Sequence, residues 1–306
     1  MEVRFATGSG AAASIVICAY NGRDVIDGAL RSLRSQDFKE RFEVVAVISG
    51  DDDCCKYVRS AYPDVRVIAS DARLHPGAAR NAGVTAATAE VIAFLPADGV
   101  AASSWLRARV IAHRSGFPLV GGSITNGTPW SIVGTSSYYV EYAASVPVAR
   151  VLRKQPLPHT LSYTRDVFRA VGQFPETNVP GEDTLFNAAC MQRGFRVAYV
   201  PEAAIGHRNL TSLREVLRHA RSHGQGLARC IADYGLSPPR PLEGRRKSSR
   251  FAVFVYYPAW RWIQTALLLS RTPLRLLTFA ALAPLVIAQY LAGSVGFWDQ
   301  LVGGRQ

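Results

Sequence analysis

Residues 77–98, with the sequence GAARNAGVTAATAEVIAFLPAD, constrain the fold more strongly than any other stretch of the chain. A helix is predicted over 78–88, because small side chains recur along one of its faces and would let it lie close to a sheet. The apolar run 91–95 is too short for a helix and is typical of a strand buried on both faces. Pro96 ends that strand and leaves Asp98 at its carboxyl end, where ligands bind in open α/β sheets. An acid there indicates chemistry rather than packing.

Strand and helix patterns alternate throughout the part of the chain that precedes this stretch. Apolar runs at 14–19, 42–48 and 65–69 predict three more strands, with helical patterns between them. This alternation predicts right-handed βαβ units and therefore an α/β fold with a mostly parallel sheet. The first strand ends in a turn that contains Tyr20 and Asn21, so these side chains are expected at the same edge as the acid.

Three adjacent acids, Asp51, Asp52 and Asp53, follow the second predicted strand in a loop that contains glycine. Such clusters are usually only solvated turns. Their position at the carboxyl end of a strand favours a role in binding instead.

The charge balance predicts an anionic partner, because 35 Lys+Arg against 23 Asp+Glu give a formal charge of +12. A phosphorylated ligand or an acidic membrane surface is favoured over nucleic acid, since no nucleic-acid motif accompanies the charge. The five cysteines are odd in number and form no C-x-x-C pair, so we expect reduced thiols in a cytosolic compartment. The amino terminus does not resemble a signal peptide, and the catalytic part is therefore expected in the cytoplasm.

Four segments, in order, resemble the successive motifs of family 2 glycosyltransferases: SIVICAYN at 14–21, EVVAVISGD at 43–51, GAARNAG at 77–83 and FLPAD at 94–98. That family has the glycosyltransferase-A (GT-A) fold, a nucleotide-binding α/β sandwich, and moves a sugar from a nucleotide diphosphate with inversion at the anomeric carbon. The resemblance covers about residues 14–230. It implies that Tyr20, Asn21 and Asp51 lie near the nucleotide. Arg80 would lie near the phosphates.

Two positions depart from the family pattern. Family members commonly carry paired acids where Ile48 and Ser49 stand, so the expected contact with the base moves to Asp51. The family's metal motif is usually Asp-x-Asp, whereas this chain has Pro96 and then Asp98. The acid that matches the metal ligand is present, and loss of the first acid is expected to alter ribose contacts or weaken metal binding.

Glu182 and Asp183 follow Gly181 and precede a helix predicted over 184–193. From spacing alone, acids beside a helix N-terminus most often only complement the helix dipole. The resemblance implies more, because the pair looks like the family's Glu-Asp motif, in which the aspartate is the general base. Asp183, with Glu182 beside it, is therefore the expected catalytic group, and the helix dipole would favour its ionised form.

His207 is the second candidate metal ligand. It comes after a strand predicted over 195–200 and expected to end at Pro201. A single histidine is more often a surface or structural residue. In this order along the chain, however, it resembles the histidine that completes the metal site in many family members. The resemblance implies that Asp98, His207 and the donor diphosphate hold Mn²⁺ or Mg²⁺, and a mixed oxygen and imidazole set suits manganese better.

The implied reaction is a single displacement on a nucleotide-diphosphate sugar. Asp183 would take the proton of the acceptor hydroxyl, and Arg80 and Arg208 would assist departure of the diphosphate. The acceptor is expected to be a polyprenyl-linked or cell-envelope glycan.

Two other functions fit parts of the pattern. A nucleotidyltransferase could share the sheet and the acids, but it would normally carry a glycine-rich basic loop after the first strand. A catalytically weak binding or scaffold protein that kept the fold is the other alternative, because Pro96 replaces the first acid of the metal motif.

The C-terminal part differs in composition. A basic, Pro-rich linker at 236–250 is predicted to separate a GT-A domain at 1–235 from a membrane-associated helical segment at 251–306. Residues 276–298 carry no charge and are long enough to cross a bilayer. A two-span hairpin would carry arginines across the membrane, so one span or a shallow hairpin on the cytoplasmic leaflet is favoured. A soluble helical cap is the alternative.

Overall fold

The computed structural model describes Phe5 and residues 10–147, 151–153, 161–178, 180–244 and 249–303, with the backbone alone at 151–153. The chain divides into two compact units. The first comprises Met1–Thr125, Ser145–Thr177 and Glu182–His207, and the second comprises Asn126–Ala144, Asn178–Gly181 and Arg208–Gln306. Position 235, the predicted domain boundary, therefore lies inside the second unit.

The first unit is built on one sheet, which has nine strands in the described part of the chain. They are β1 (Ser14–Tyr20), β2 (Glu43–Ser49), β3 (Arg66–Ser70), β4 (Val91–Phe94), β5 (Gly99–Ala101), β6 (Leu119–Asn126), β7 (Val151–Arg153), β8 (Ser162–Thr164) and β9 (Val197–His207). Their order across the sheet is β3-β2-β1-β4-β8-β6-β9-β5, and β7 also pairs with β9. The predicted α/β fold is confirmed.

Helices alternate with these strands and continue beyond them. They are α1 (Ile26–Arg34), α2 (Cys54–Ala61), α3 (Pro76–Ala86), α4 (Trp105–Arg114), α5 (Ile132–Tyr142), α6 (Arg165–Val171), α7 (Glu182–Gln192), α8 (Leu213–Asp233), α9 (Tyr257–Leu269), α10 (Pro273–Ala281) and α11 (Ala283–Gly303). Short 3₁₀ turns occupy Ala143–Ser145 and Arg240–Leu242, and a π-helical turn at Ala252–Tyr256 leads into α9. The small face of α3 packs as predicted, since a Cβ at Gly83 would lie 2.3 Å from Val16 Cγ1 of β1.

The four strands on one side of the sheet, β3, β2, β1 and β4, are parallel neighbours. Their register aligns Tyr20 with Ser49, and Ser49 with Ser70, so the loops that follow β1, β2 and β3 open on one edge. After Phe94 of β4 the chain runs on to Asp98 at the carboxyl end of the same strand. The predicted candidates Tyr20 and Asp98 thus follow parallel strands.

The other strands make the sheet mixed, so the prediction of a mostly parallel sheet was wrong. β8 is antiparallel to β4 and β6, and β5 and β7 are antiparallel to β9. The three-residue strands β5, β7 and β8 are too short to give a periodic signal, and their partners lie far away along the chain. Hydrogen bonding between distant segments, rather than local pattern, sets this half of the sheet.

The strand that leads to His207 is longer than predicted and does not end at Pro201. Where β9 pairs with β7 and β5, the paired stretches lie on either side of this proline, with β7 opposite 197–199 and β5 opposite 205–207. The missing N–H of the proline therefore interrupts neither ladder. Ser123 Oγ also donates to the carbonyl oxygen of Pro201 at 2.7 Å.

Two basic side chains of α4 are buried against β6 and β8. Arg109 donates to Val120 O at 2.8 Å and to Ser162 Oγ at 3.1 Å. His113 donates from Nδ1 to Phe117 O, and its Nε2 lies 2.8 Å from Ser162 Oγ. Burial, with a smaller contribution from the Arg109 charge, lowers the pKa of His113 to about 4. This histidine is therefore neutral at pH 7.

In the second unit, α8 and α11 pack backbone against backbone at glycines. A Cβ at Gly224 would lie 1.9 Å from Gly293 O, and one at Gly296 would lie 1.9 Å from Arg221 O. Larger residues there would force the two helices apart, so the glycines explain the close approach.

The uncharged run 276–298 is not one helix. It is divided between α10 and α11, which are bent by 72° at the break between them. Pro284 lies in the first turn of α11, where its ring prevents the helix from continuing backward through Ala280. An uninterrupted span over 276–298 is thereby excluded. Across the described residues no single helix is long and apolar enough to cross a bilayer, although α10 and α11 together are, by length and composition.

Candidate active site

The turn after β1 is fixed by a contact with the loop after β2. Asn21 adopts a positive φ of 46°, and its backbone N–H donates to Ser49 O at 3.1 Å. Its side-chain Oδ1 accepts the backbone N–H of Asp51 at 3.0 Å. Gly50, with φ of 110°, lies between them, and a Cβ there would be 2.0 Å from Asn21 Oδ1. Only glycine fits this position, and the result is that two predicted donor-binding residues are held together.

The three acids of the second loop differ in their surroundings. Asp52 accepts the backbone N–H of Arg23 at 2.9 Å and that of Cys54 at 3.2 Å, so it ties the loop to the start of α2. Asp53 forms an ion pair with Arg23 at 3.5 Å. Asp51 is exposed at the edge of the sheet. The structure therefore gives Asp52 and Asp53 local structural contacts, whereas Asp51 faces solvent.

Arg73 is a residue that sequence reasoning missed. It follows β3, and its guanidinium lies over the ring of Tyr20, 4.6 Å from the ring centroid. Tyr20 itself is 47% exposed. The sequence feature that could have identified Arg73 is its position as a basic residue in the loop after a parallel strand. That edge of the sheet was already predicted to bind an anion.

Asp98 and His207 are brought together by the pairing of β5 with β9. Gly99, which follows Asp98, is the register partner of His207 at the end of β9. This pairing leaves Asp98 Oδ1 3.4 Å from His207 Nε2. The aspartate side chain is 39% exposed and the histidine side chain 13%. The predicted pair of metal ligands is therefore adjacent in space, through a three-residue strand that was not predicted.

The separation of these two atoms fits a shared cation. Adjacent ligands in an octahedron with bonds of about 2.1 Å lie about 3 Å apart, close to the observed separation. A carboxylate oxygen and an imidazole nitrogen are suitable donors for Mn²⁺. Within the described residues no group of three or more His, Cys, Asp or Glu side chains could hold a metal ion. A cation bound by this pair would need ligands in addition to these two side chains.

Glu182 and Asp183 occupy the first turn of α7 and are both buried. The helix begins at Glu182, two residues earlier than predicted, so the acids belong to the helix itself. Asp183 Oδ1 accepts the backbone N–H of Thr184 at 2.7 Å. Such a position near a helix N-terminus favours a negative charge.

Arg80 does not face solvent at the end of a loop, as a phosphate ligand commonly does. It belongs to α3 and forms an ion pair with Glu182, and both side chains are largely buried. Its charge also acts on neighbouring groups: it opposes the effect of burial, which raises the pKa of the Cys18 thiol to about 11. The structure thus joins two predicted site residues that lie 102 positions apart.

The predicted candidates therefore form three contacts: Asn21 with Asp51, Asp98 with His207, and Arg80 with Glu182. Asp183 is covalently next to the third pair. Convergence of Asp183 with Asp98 and His207 in one cleft stays a prediction.

The mixed α/β sheet is GT-A-like and matches solved glycosyltransferase structures. A mannosyltransferase from Pyrobaculum calidifontis, solved in complex with GDP-Man and Mn²⁺, superposes with a TM-score of 0.60 at 19% identity, covering 95% of this chain and 87% of that one. Residues 1–349 of S. aureus TarS, in complex with UDP-GlcNAc, match with a TM-score of 0.51 at 17% identity, covering 95% of this chain and 92% of that one. At these identities the likeness shows the fold.

A family model and related sequences provide further evidence on the family. The family model for glycosyl transferase family 2 matches residues 14–127. Glycosyltransferase AglE of Haloferax volcanii is 25% identical over 221 residues, which are 70% of this chain and 72% of that protein. The succinoglycan biosynthesis protein ExoO of Rhizobium meliloti is 30% identical over 227 residues, which are 67% of this chain and 63% of that protein. The family-model match and these relatives support a family 2 glycosyltransferase.

Proposed function

We propose that the protein is an inverting glycosyltransferase that moves a sugar from a nucleotide-diphosphate donor to an acceptor hydroxyl. The observation that carries the proposal is the contact of Asp98 with His207, 3.4 Å apart at the carboxyl end of β4. A pair of such donors, next to a loop edge with Tyr20, Asn21 and Asp51, supplies what a nucleotide diphosphate with its cation requires.

The proposed reaction is one displacement with Asp183 as the general base. Asp183 takes the proton of the acceptor hydroxyl while the hydroxyl oxygen forms a bond to the anomeric carbon. The bond from that carbon to the diphosphate breaks, its electron pair leaves on the nucleoside diphosphate, and the configuration inverts. Asp183 lies in the first turn of α7, where the helix dipole favours a negative charge.

Asp98 and His207 would hold the divalent cation, Mn²⁺ or Mg²⁺, together with the donor's own oxygens. When bound, the cation would neutralise charge on the leaving diphosphate. The solved mannosyltransferase in complex with GDP-Man and Mn²⁺ supports a divalent cation as the cofactor.

The substrates are proposed from the relatives. The two solved structures hold GDP-Man and UDP-GlcNAc, so we propose a nucleotide-diphosphate sugar as donor. ExoO is named for succinoglycan biosynthesis, and WbaN of Salmonella anatum is named an O-antigen chain rhamnosyltransferase. These names support a cell-envelope glycan as acceptor. We further propose that the acceptor is lipid-linked and that the catalytic unit lies on the cytoplasmic face of the membrane.

The test is a panel of UDP-, GDP- and dTDP-sugars, each added to the full-length protein with and without Mn²⁺. The proposal predicts that at least one donor binds in a cation-dependent manner and releases its nucleoside diphosphate. A protein that binds a donor and never turns it over, with any acceptor fraction, would instead be the weak binding protein considered above. Release of inorganic diphosphate from a nucleoside triphosphate would favour a nucleotidyltransferase, an alternative that the family match argues against.

Membrane association is proposed for the second unit. Apolar side chains are exposed on α9 and α10: Ile263, Leu267, Leu268, Leu274 and Leu277. No acid occurs in 251–298, whereas Arg271 lies exposed beside these leucines. An apolar surface with a basic edge suits an anionic bilayer.

Flotation of the full-length protein with vesicles that contain anionic lipid tests this surface. The variant Leu274→Glu should lower the bound fraction about tenfold, because it removes apolar area and adds a charge of the wrong sign. Ile111→Glu, at an exposed apolar side chain on α4 of the first unit, is the control and should float like the wild type. Equal loss for both variants, or none for Leu274→Glu, would contradict the assignment.

A further inference from the structure

The ion pair between Arg80 and Glu182 links two elements that are distant in sequence. Arg80 is near the middle of α3, and Glu182 is the first residue of α7. The Arg80 side chain is 16% exposed and that of Glu182 is 6% exposed. Separation of the two side chains would leave each buried charge without its partner, which costs free energy. The pair is therefore held in one geometry.

The guanidinium of Arg80 is further fixed by two aromatic rings. It lies 5.5 Å from the ring centroid of Phe174 and 6.0 Å from that of Phe94, distances at which a cation is attracted to a ring face. Phe94 is the last residue of β4, the strand that leads to Asp98. The same cation therefore contacts the strand that leads to the candidate metal ligand and the helix that carries the candidate base.

Neighbouring residues of α3 clamp the segment that contains Phe174. The Asn81 side chain donates to Phe174 O and accepts the Phe174 N–H, both at 2.9 Å. A Cβ at Gly77 would lie 2.1 Å from Pro175 O, so glycine is required for this approach. Residues 77, 80 and 81 share one face of a helix. That face of α3 thus forms a rigid platform for Phe174, Pro175 and Glu182.

We propose that Arg80 is a positioning residue that acts through Glu182 to fix the first turn of α7, so that Asp183 meets the acceptor hydroxyl in a productive orientation. This proposal rests on the proposed function, in which Asp183 is the base. It gives Arg80 and Glu182 roles different from those in the sequence-based prediction, where Arg80 bound phosphate and Glu182 was part of the catalytic pair. Misplacement of a catalytic carboxylate by about 1 Å can lower the reaction rate about 100-fold. An ion pair that fixes the helix carrying Asp183 should therefore affect turnover.

The kinetic test separates kcat from KM for the donor that the wild type uses in the panel of UDP-, GDP- and dTDP-sugars. Arg80→Gln should lower kcat about 30-fold and change the donor KM by less than about twofold. The double variant Arg80→Gln/Glu182→Gln should regain about tenfold in kcat over Arg80→Gln, because it leaves no buried charge without a partner. A raised donor KM with little change in kcat would show instead that Arg80 binds phosphate, and would overturn the proposal.

Hydrogen–deuterium exchange supplies a readout that needs no substrate. Amides in the first turn of α7, residues 182–186, should exchange faster in Arg80→Gln than in the wild type, and the double variant should restore their protection. Arg165→Gln is the matched control, since Arg165 is also a half-buried arginine and donates to Ala87 O and Ala89 O instead. It should lower the melting temperature without changing kcat or the protection of α7. Unchanged α7 exchange in Arg80→Gln would overturn the proposal even where no donor is turned over.

Asp183→Asn distinguishes failure of this proposal from failure of the proposed function. If Asp183→Asn is inactive while Arg80→Gln keeps full kcat, Asp183 remains the base and only the positioning role is lost. If Asp183→Asn keeps full turnover, the proposed function itself fails.

Discussion

The two halves of the sheet in the first unit are built by different rules. The parallel half, β3-β2-β1-β4, consists of strands that follow one another along the chain, and its candidate residues come directly after those strands. The antiparallel half, β8-β6-β9-β5, pairs segments that lie far apart, and His207 reaches its position only through β9. Contacts between candidate residues join segments of the two halves, among them Asp98 with His207 and Arg80 with Glu182.

In the proposed mechanism, this difference separates donor binding from proton transfer. The parallel half supplies a loop edge, at Asn21 and Asp51, that suits a nucleotide, and the second half supplies the helix that carries Asp183. Substitutions in the loop edge of the parallel half should therefore lower donor affinity. Substitutions in the helix that carries Asp183 should lower turnover. Variants at the contacts that join the halves test whether they work as one site.

The largest effect is expected at the candidate base. Asp183→Asn should lower kcat about 1000-fold, because no other group takes the proton, and should leave donor affinity within about twofold of the wild type. Measurement of turnover and of donor binding by titration calorimetry, on the same preparation, gives both numbers. Parallel losses of affinity and turnover would contradict a division between the two halves.

The elements that could be predicted are those with a recognisable pattern in their own stretch of sequence. β1, β2, β4 and α3 were predicted to within a few residues, because each is a continuous apolar run or a helix with a small face. β5 was missed since three residues, Gly99–Ala101, carry no periodic pattern. The adjacency of Asp98 and His207 came from family resemblance and not from pattern, because it depends on the pairing of β5 with β9.

The partner of Arg80 could not be predicted for a related reason. Its position in a GAARNAG motif indicated phosphate binding, whereas the ion pair with Glu182 is formed across 102 positions of sequence. A local motif identifies which residues matter. It does not give contacts between elements that meet only in the folded chain.

Acid pH should loosen the antiparallel half first. Because the pKa of His113 is lowered from 6.5 to about 4, its neutral form stabilises the fold above pH 6.5. That stabilisation, about 3 kcal/mol, should be lost as pH falls from 6.5 to 4, since the unfolded chain then binds a proton that the folded chain resists. Urea unfolding at pH 7 and pH 4.5 measures the loss, and hydrogen exchange should rise at β6 and β8 before β1 and β2.

His113→Gln is the comparison for this measurement. It should reduce the difference in unfolding free energy between the two pH values by most of that amount. An equal pH dependence in the variant and the wild type would assign the acid sensitivity to other groups.

The contact between Asp98 and His207 should govern cation affinity. Asp98→Asn and His207→Ala should each weaken Mn²⁺ binding about 30-fold in the presence of GDP or UDP, because each removes a ligand. Asp166→Asn, at an exposed acid of α6 that pairs with Arg169, is the control and should bind Mn²⁺ like the wild type. Unchanged Mn²⁺ binding in both Asp98→Asn and His207→Ala would show that the cation binds at another site.

The smallest effect is expected at the turn of the parallel half. Gly50→Ala should raise the donor Kd about tenfold with kcat nearly unchanged, because its Cβ would displace Asn21 Oδ1 and a φ of 110° disfavours alanine. Gly172→Ala carries a similar φ of 97° with no atom within 4 Å, so it isolates the backbone cost from the steric one. Equal donor affinities for Gly50→Ala and Gly172→Ala would show that the turn is not part of the donor-binding site.

The most direct test of the account is whether Mn²⁺ bound at Asp98 and His207 lies near Asp183. A ¹⁹F label on the full-length variant Thr184→Cys places a reporter at an exposed position beside the candidate base, and its resonance is identified by comparison with the labelled wild type, which carries only the native cysteines. With GDP or UDP present, Mn²⁺ should broaden this resonance by paramagnetic relaxation, and Asp98→Asn should abolish the broadening. Mn²⁺ that binds the protein through Asp98 and leaves the resonance at 184 unchanged would show that the cation and the base belong to separate surfaces.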